Sequence, residues 1–203
     1  MRFRFDRWTV HAPIASRLKR KEGVEVARSD GAVSRIFMVH PGSPVWMRLL
    51  VEQCAFHFGN EGGYELIQFI AKERKPQLRG VIFALDERVG SRLRCRVVGA
   101  STFWWTRPRG EKPFWVMTWV WLHPSARSKG ILKAAWPYLH RTFGPFHPQP
   151  PYSAAMEYFL RRRLFHGRSI RDPREHAPPR REPTPPSFRR RFEFAAISPR
   201  SRA

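Results

Sequence analysis

The residues best placed to do chemistry run Trp119-Val120-Trp121-Leu122-His123-Pro124-Ser125-Ala126-Arg127-Ser128-Lys129-Gly130-Ile131-Leu132. Trp119 to Leu122 reads as the end of a strand and Ser128 onward as a helix, so the turn between them is built of basic and small residues. The start of a helix carries backbone N–H groups with no partner inside the helix, together with the positive end of its dipole. Phosphate binds at such a point. Gly130 lets the main chain approach an anion closely, and Arg127 and Lys129 bring charge to it.

Elements on both sides must hold that junction in place. Val33 to Val39 is β-prone and stops at His40-Pro41-Gly42, a strand followed by a turn. Ser43 is expected as an N-cap with Pro44 at the first helical position, and Trp46, Leu49, Leu50, Cys54 and Phe58 recur at helical spacing up to Gly59. A weaker helix is expected from Glu61 to about Glu73, with Leu66, Ile67 and Ile70 on its apolar face. Gly80 to Leu85 is a continuous apolar run suited to a strand buried on both sides. Arg94 to Trp105 is the next strand, where Gly99 marks a bulge or a close approach of backbone. Of Trp104 and Trp105 one must point to each side. They read as core packing, with the lining of an acceptor pocket as the lesser alternative. Phe114 to Leu122 is the most β-like segment of the chain. Ser128 to Phe143 comes next as a helix closed by Gly144-Pro145, with a kink expected at Pro137 because proline cannot donate to the carbonyl of Lys133. A short strand begins at Phe146-His147. A last helix runs from Ser153, its N-cap, to about Phe165, with Met156, Phe159 and Leu160 inward and Glu157 at the surface.

Composition sets the frame. The 203 residues suit one domain with extensions. All eight Trp lie before residue 140, which places the core there. Residues 1–32 read as a basic arm, 33–165 as the domain, and 166–203 as an Arg- and Pro-rich tail too poor in large apolar residues to pack. The formal charge is +22, of which residues 161–203 supply 13 Arg against four acids, so both globular part and tail are basic. This charge implies anionic partners. Cys54 and Cys95 have no metal-binding spacing and read as buried thiols in a reducing cytosol; no metal is expected. The N-terminus lacks the apolar run of a secretory signal, and Phe114 to Leu122 is far short of the roughly 20 residues that span a bilayer, so a cytoplasmic protein without a membrane partner is expected. The composition has a bacterial look.

The strand, turn and helix around Arg127 to Leu132 resemble motif A of the GNAT (GCN5-related) N-acetyltransferases. In that family a strand ends near a Pro and leads, after Arg or Gln, through x-x-Gly-x-Gly/Ala into a helix. The resemblance implies an α+β fold, with a mostly antiparallel mixed sheet flanked by helices, and acetyl-CoA as co-substrate. It implies that Arg127, Ser128, Lys129, Gly130, Ile131 and Leu132 hold the pyrophosphate, and that Trp121, Leu122 and His123 flank the pantetheine and acetyl group. Leu132 departs from the family, which has a small residue there. The order of elements over 33–165 is that of the family. Trp119 to Phe159 has a more distant likeness to the sister-chromatid cohesion acetyltransferases, with Phe146-His147-Pro148-Gln149-Pro150-Pro151 as the counterpart of their Pro-x-Pro turn. Gln149 stands where those enzymes have an acid, so their particular chemistry does not carry over.

The implied reaction is attack of an amine on a thioester, which needs the amine deprotonated, the carbonyl polarised and the leaving thiolate protonated. His123, with an ordinary pKa near 6.5, is the candidate base; a solvent-facing turn histidine is the plain alternative. The family's acid is a tyrosine on the last helix, which points to Tyr152 or Tyr158. Two rivals stand beside this N-acetyltransferase reading, in which the amine acceptor is unknown. One is a nucleic-acid-associated protein whose basic tail grips phosphate unselectively, on a scaffold without catalysis. The other is a fold that binds acyl-CoA without transfer.

Overall fold

The computed structural model describes residues 18–63 and 69–165, so the first part of the expected arm and the tail from residue 166 lie outside the described residues. Two compact units, Met1–Pro151 and Tyr152–Ala203, divide the chain ahead of the last described helix.

Among the described residues the first unit holds a six-stranded sheet in the order β1-β2-β3-β4-β5-β6. The strands are β1 (Val24–Ala27), β2 (Val33–Val39), β3 (Leu78–Val89), β4 (Arg92–Thr106), β5 (Phe114–Leu122) and β6 (His147–Pro148). Each neighbouring pair from β1 to β5 is antiparallel, and only β5 and β6 run parallel. This is the mixed, mostly antiparallel sheet expected. Helix α1 (Val45–Gly62) packs on β3, β4 and β5, while α2 (Ile131–Phe143) lies against β1 and β2 and stacks Phe143 on Phe103 at 3.9 Å.

Strand β3 is buried on both faces along the middle of its apolar run, with Val81, Ile82, Phe83 and Ala84 all at 0% exposure, while Glu87 and Arg88 farther on are exposed. Phe37, Val39, Val51, Ile82, Trp119 and Trp121 belong to one core cluster that includes α1. In that layer Arg35 is buried, and its guanidinium meets both carboxylate oxygens of Asp86 at 2.7 and 3.0 Å. Asp86 also pairs with Arg20, and Arg35 also pairs with Glu25, so the buried guanidinium is held in a network of charges and not in a single pair.

Four expectations need correction. Strand β1 lies inside the stretch read as an arm, and of its four residues only Val26 is buried, so no alternating pattern announced it. Ser43 does not cap α1: its hydroxyl accepts from the His40 N–H at 2.9 Å and closes the preceding turn, while Pro44 holds the N-cap position. α1 runs past Gly59 to Gly62 and is capped by Gly63 at φ 67°, whose N–H bonds the carbonyl of Gly59. The second helix expected from Glu61 is not formed over residues 69–73, which are loop and turn; residues 64–68 of that expectation lie outside the described residues. The thiols are as expected. Cys54 and Cys95 are free and buried, and burial pushes them up to about 12 and about 11, with the Asp86 charge adding at Cys95.

The second unit contributes α3 (Ala154–Phe165). Ser153 caps it, its hydroxyl accepting from the Met156 N–H at 3.2 Å. Glu157 pairs with Arg161 one turn on, as a surface residue would.

Candidate functional site

The site is assembled at the C-terminal end of β5, by two departures from regular pairing. Opposite β5, the register puts Thr102 against Trp119 and Phe103 against Met117, which leaves Thr118 without a counterpart. β5 therefore bulges at Thr118, and a bulge bends a strand and re-aims the residues beyond it. On its other side the parallel ladder to β6 consists of Val116 with His147 and Met117 with Pro148, continued by a bond from the Gln149 N–H to the Met117 carbonyl at 2.9 Å. The ladder ends where the bulge begins. From Trp119 to Leu122 the strand continues with β4 as its ladder partner, and the edge toward β6 opens.

A second bulge supports that opening. Phe83 faces Gly99 and Ala84 faces Val97, so Val98 is the extra residue of β4. Its carbonyl accepts from the His123 N–H at 2.7 Å, which ties down the end of β5. Gly99 is needed here because a Cβ on it would stand 2.2 Å from the Trp121 carbonyl oxygen. The bulge or close approach read from Gly99 is both.

Beyond Leu122 the chain makes a 3-10 turn, Pro124–Ala126, and reaches α2 through Arg127 to Gly130. Ser128 at φ 60° and Gly130 at φ 72° are both left-handed. For serine that conformation costs about 1 kcal/mol, so the surrounding structure must impose it. Gly130 is the N-cap of the 13-residue α2, and no side chain among the described residues caps the helix start. The first amides of the helix are thus presented with only glycine before them. Ser29, in the turn between β1 and β2, has its hydroxyl 3.6 Å from where a Cβ of Gly130 would be.

The side chains expected at this junction divide into two groups. Ser128 and Lys129 are exposed, Gly130 and Leu132 half-buried, and Ile131 anchors the helix start with 1% exposure. Trp121 is buried and Leu122 half-buried. Arg127 is drawn elsewhere: its Nε donates to the Leu122 carbonyl at 2.9 Å and its guanidinium pairs with Glu61 of α1. It braces the strand end against the helix. His123 also has a structural task. Its Nδ1 accepts from the Ser125 N–H at 3.2 Å and lies 2.7 Å from the Ser125 hydroxyl. A backbone N–H can only donate, so the neutral ring carries its proton on Nε2. The nitrogen that could take a proton is the one engaged in the cap. Burial, then the charges of Arg96, His57 and Arg127, hold His123 below the usual histidine range, against the opposing charge of Glu61.

Sequence reasoning missed what α1 brings to the site. His57 stacks on Trp121 with centroids 5.0 Å apart and planes 14° apart, and burial holds it below its ordinary range with Glu61 opposing. His57 and Glu61 are one helical turn apart, a spacing visible in the sequence; which strand they face was not. The indole N–H groups of Trp119 and Trp121 are buried and have no hydrogen-bond partner among the described residues.

Tyr152 and Tyr158 belong to the second unit. Both are exposed, at 42% and 58%, and the Arg162 guanidinium lies 4.8 Å from the Tyr158 ring centroid. Among the described residues no group of three His, Cys, Asp or Glu is arranged to hold a metal, and no helix is long and apolar enough to cross a membrane.

No protein-family model and no curated protein matches the chain. Solved structures do match it in arrangement. The xEco2 acetyltransferase domain bound to a CoA conjugate is 15% identical with a TM-score of 0.45, over 62% of this chain and 84% of that one. An aminoglycoside acetyltransferase from an uncultured soil metagenomic sample, in complex with sisomicin, is 11% identical with a TM-score of 0.45, over 68% and 93%. A ribosomal-protein-alanine N-acetyltransferase from Brucella melitensis is 15% identical with a TM-score of 0.40, over 68% and 99%. The likeness is one of fold. In this chain's own sheet the one parallel pairing among the described strands, β5 with β6, opens beyond a bulge.

Proposed function

We propose that the chain is an N-acetyltransferase that binds acetyl-CoA at the junction of β5 and α2 and passes the acetyl group to a primary amine. The single observation behind this reading is the start of α2, where a left-handed Gly130 and no side-chain cap leave amides to an anion, directly after a strand whose ladder to its parallel neighbour stops at Met117. The residues fit the diphosphate of a coenzyme A in that respect: a cradle of main-chain donors with no Cβ before it, beside Ser128 and Lys129, which are exposed.

In this reading the amides of Ile131 and Leu132 hold the pyrophosphate, and the pantetheine arm lies along the opened edge from Trp119 to Leu122. N–H groups of that edge polarise the thioester carbonyl. The amine nitrogen attacks the carbonyl carbon, the C–N bond forms as the C–S bond breaks, the amine loses a proton and the thiolate gains one. Tyr152 and Tyr158 are the proposed donors to sulfur. His123 is the sequence's candidate base, but its Nδ1 serves the turn, so it acts only if that cap opens. Arg127 supports the anion site indirectly, by bracing it.

Acyl-CoA binding without transfer is the second reading, and the capped His123 favours it. Calorimetric titration with acetyl-CoA of the wild type and of Gly130→Glu tests the common premise. Saturable binding that falls at least about tenfold in the variant is expected, because the carboxylate repels phosphate at close range. No binding by the wild type overturns both readings. Thiol release with a panel of amines, measured in Tyr152→Phe and Tyr158→Phe, then separates transfer from binding alone.

A further inference from the structure

At the opposite end of β5 the sheet presents a surface that the acetyl-CoA reading does not use. Trp105 is 38% exposed at the end of β4, and its ring lies 5.1 Å from that of Trp115 at 55°. The Arg79 guanidinium sits 5.8 Å over the Trp115 ring, with one of its terminal nitrogens donating to the carbonyls of Pro76 and Leu78 at 2.6 and 3.0 Å. With Pro76 and Gln77 these residues line an open depression of about 290 Å³. That is at the small end for ligand sites, which run from about 300 to 1,000 Å³, and suits one flat ring system.

Charge surrounds the depression. The Trp105 N–H bonds the Gln77 carbonyl at 2.8 Å, so the segment leading into β3 and the loop between β4 and β5 stand at one end of the sheet. The first carries Lys72, Arg74 and Lys75, with Arg79 following at the start of β3, against Glu73, which pairs with Lys75 at 2.6 Å. The second carries Arg107, Arg109 and Lys112 against Glu111 alone. An exposed indole, Trp105, beside the half-buried Trp115, with an excess of cations on both sides, supplies the two parts of a surface for unpaired nucleic acid: bases stack on an aromatic face and phosphates meet the basic groups.

We propose that this end of the sheet binds single-stranded nucleic acid, with a base stacked on Trp105 and edge-on to Trp115, Gln77 beside it, and the backbone phosphates on Arg79 and the 107–112 loop. The site is independent of the acyl-CoA site and of the basic tail. A polyanion without bases meets only the charges here, and an acidic peptide likewise.

The test uses the full chain with a short fluorescein-labelled oligothymidylate, heparin and polyglutamate, for wild type, Trp105→Ala and Trp105→Phe. A base stacked on an aromatic side chain is worth enough that Trp105→Ala should lose about tenfold or more in oligothymidylate affinity, with Trp105→Phe keeping most of it. Heparin and polyglutamate affinities should be the same in all three proteins. Replacing Arg107 and Arg109 together by Gln should reduce the salt dependence by roughly one to two charges. The proposal is overturned if Trp105→Ala binds the oligonucleotide as the wild type does, or if it loses heparin and polyglutamate to the same degree. Far-ultraviolet circular dichroism and unchanged acetyl-CoA binding establish that the variants fold.

Discussion

In the two proposals made for it, the ends of β5 meet anions by different physics. At the C-terminal end the donors are main-chain amides, presented because Ser128 and Gly130 are left-handed and because the strand's parallel partner stops at Met117. At the N-terminal end the recognition elements are side chains, Trp105, Trp115 and Arg79, on regular β backbone. The first site should therefore be sensitive to changes in the path of the chain and tolerant of many side-chain exchanges. The second should behave the opposite way.

The largest expected effect breaks the first site through the fold. Gly99→Val places carbon atoms inside contact distance of the Trp121 carbonyl and of Leu122, whose Cα would lie 3.0 Å from the new Cβ. A loss of about 3–5 kcal/mol is expected, as for severe overpacking of a close contact, and chemical denaturation measures it. Equal stability of this variant and the wild type would show that the bulge does not hold the end of β5.

Gly130→Ala is a finer probe of the same end. Any Cβ in the left-handed region costs about 1–2 kcal/mol, and Ser29 stands next to it. Acetyl-CoA affinity should fall several-fold more than stability alone accounts for, while oligonucleotide affinity stays unchanged.

Acidification separates the ends less strongly. His57 and His123 are held below their unfolded value near 6.5, burial being the first cause in both. Below that value the unfolded chain binds more protons than the folded one, so stability declines as the pH drops from above 6.5 toward the folded values. His123→Asn keeps an oxygen to accept from the Ser125 N–H and removes one of the titrating groups. Its melting temperature should depend less steeply on pH between about 7.5 and 5.5, and an unaltered slope would assign the effect elsewhere.

The smallest effect sharpens the contrast. Trp105 is partly exposed, so Trp105→Ala should cost under about 1 kcal/mol in denaturation experiments, although it removes the proposed stacking platform. Acetyl-CoA titration should not register the change.

Much of the architecture was legible because periodicity reports burial. β3 showed as an unbroken apolar run and proved buried on both faces; β5 showed as the most β-like segment; α1 and α2 showed as helical repeats of apolar residues. β1 escaped because an edge strand with one buried residue has no pattern to show. Gly59 was read as a helix end because glycine more often stops helices, yet it is buried inside α1 and the stop comes at Gly63. The role of Ser43 turned on whether its hydroxyl faced forward to the helix or back to His40, a choice made by the turn and not by residue type.

The candidate site divides in the same way. The sequence by itself determined that a strand, a turn with a glycine and a helix succeed one another from Trp119 to Phe143, since local propensity and chain order decide that much. It also marked Gly99 as a place where backbone comes close. Only the tertiary structure decided which partners those elements meet. It committed Arg127 to Glu61 and Leu122, gave the Nδ1 of His123 to Ser125, and set His57 against Trp121. Two of those four contacts, Arg127 with Glu61 and His57 with Trp121, join residues far apart in the chain, and they depend on register and on helix rotation, neither of which a local pattern encodes.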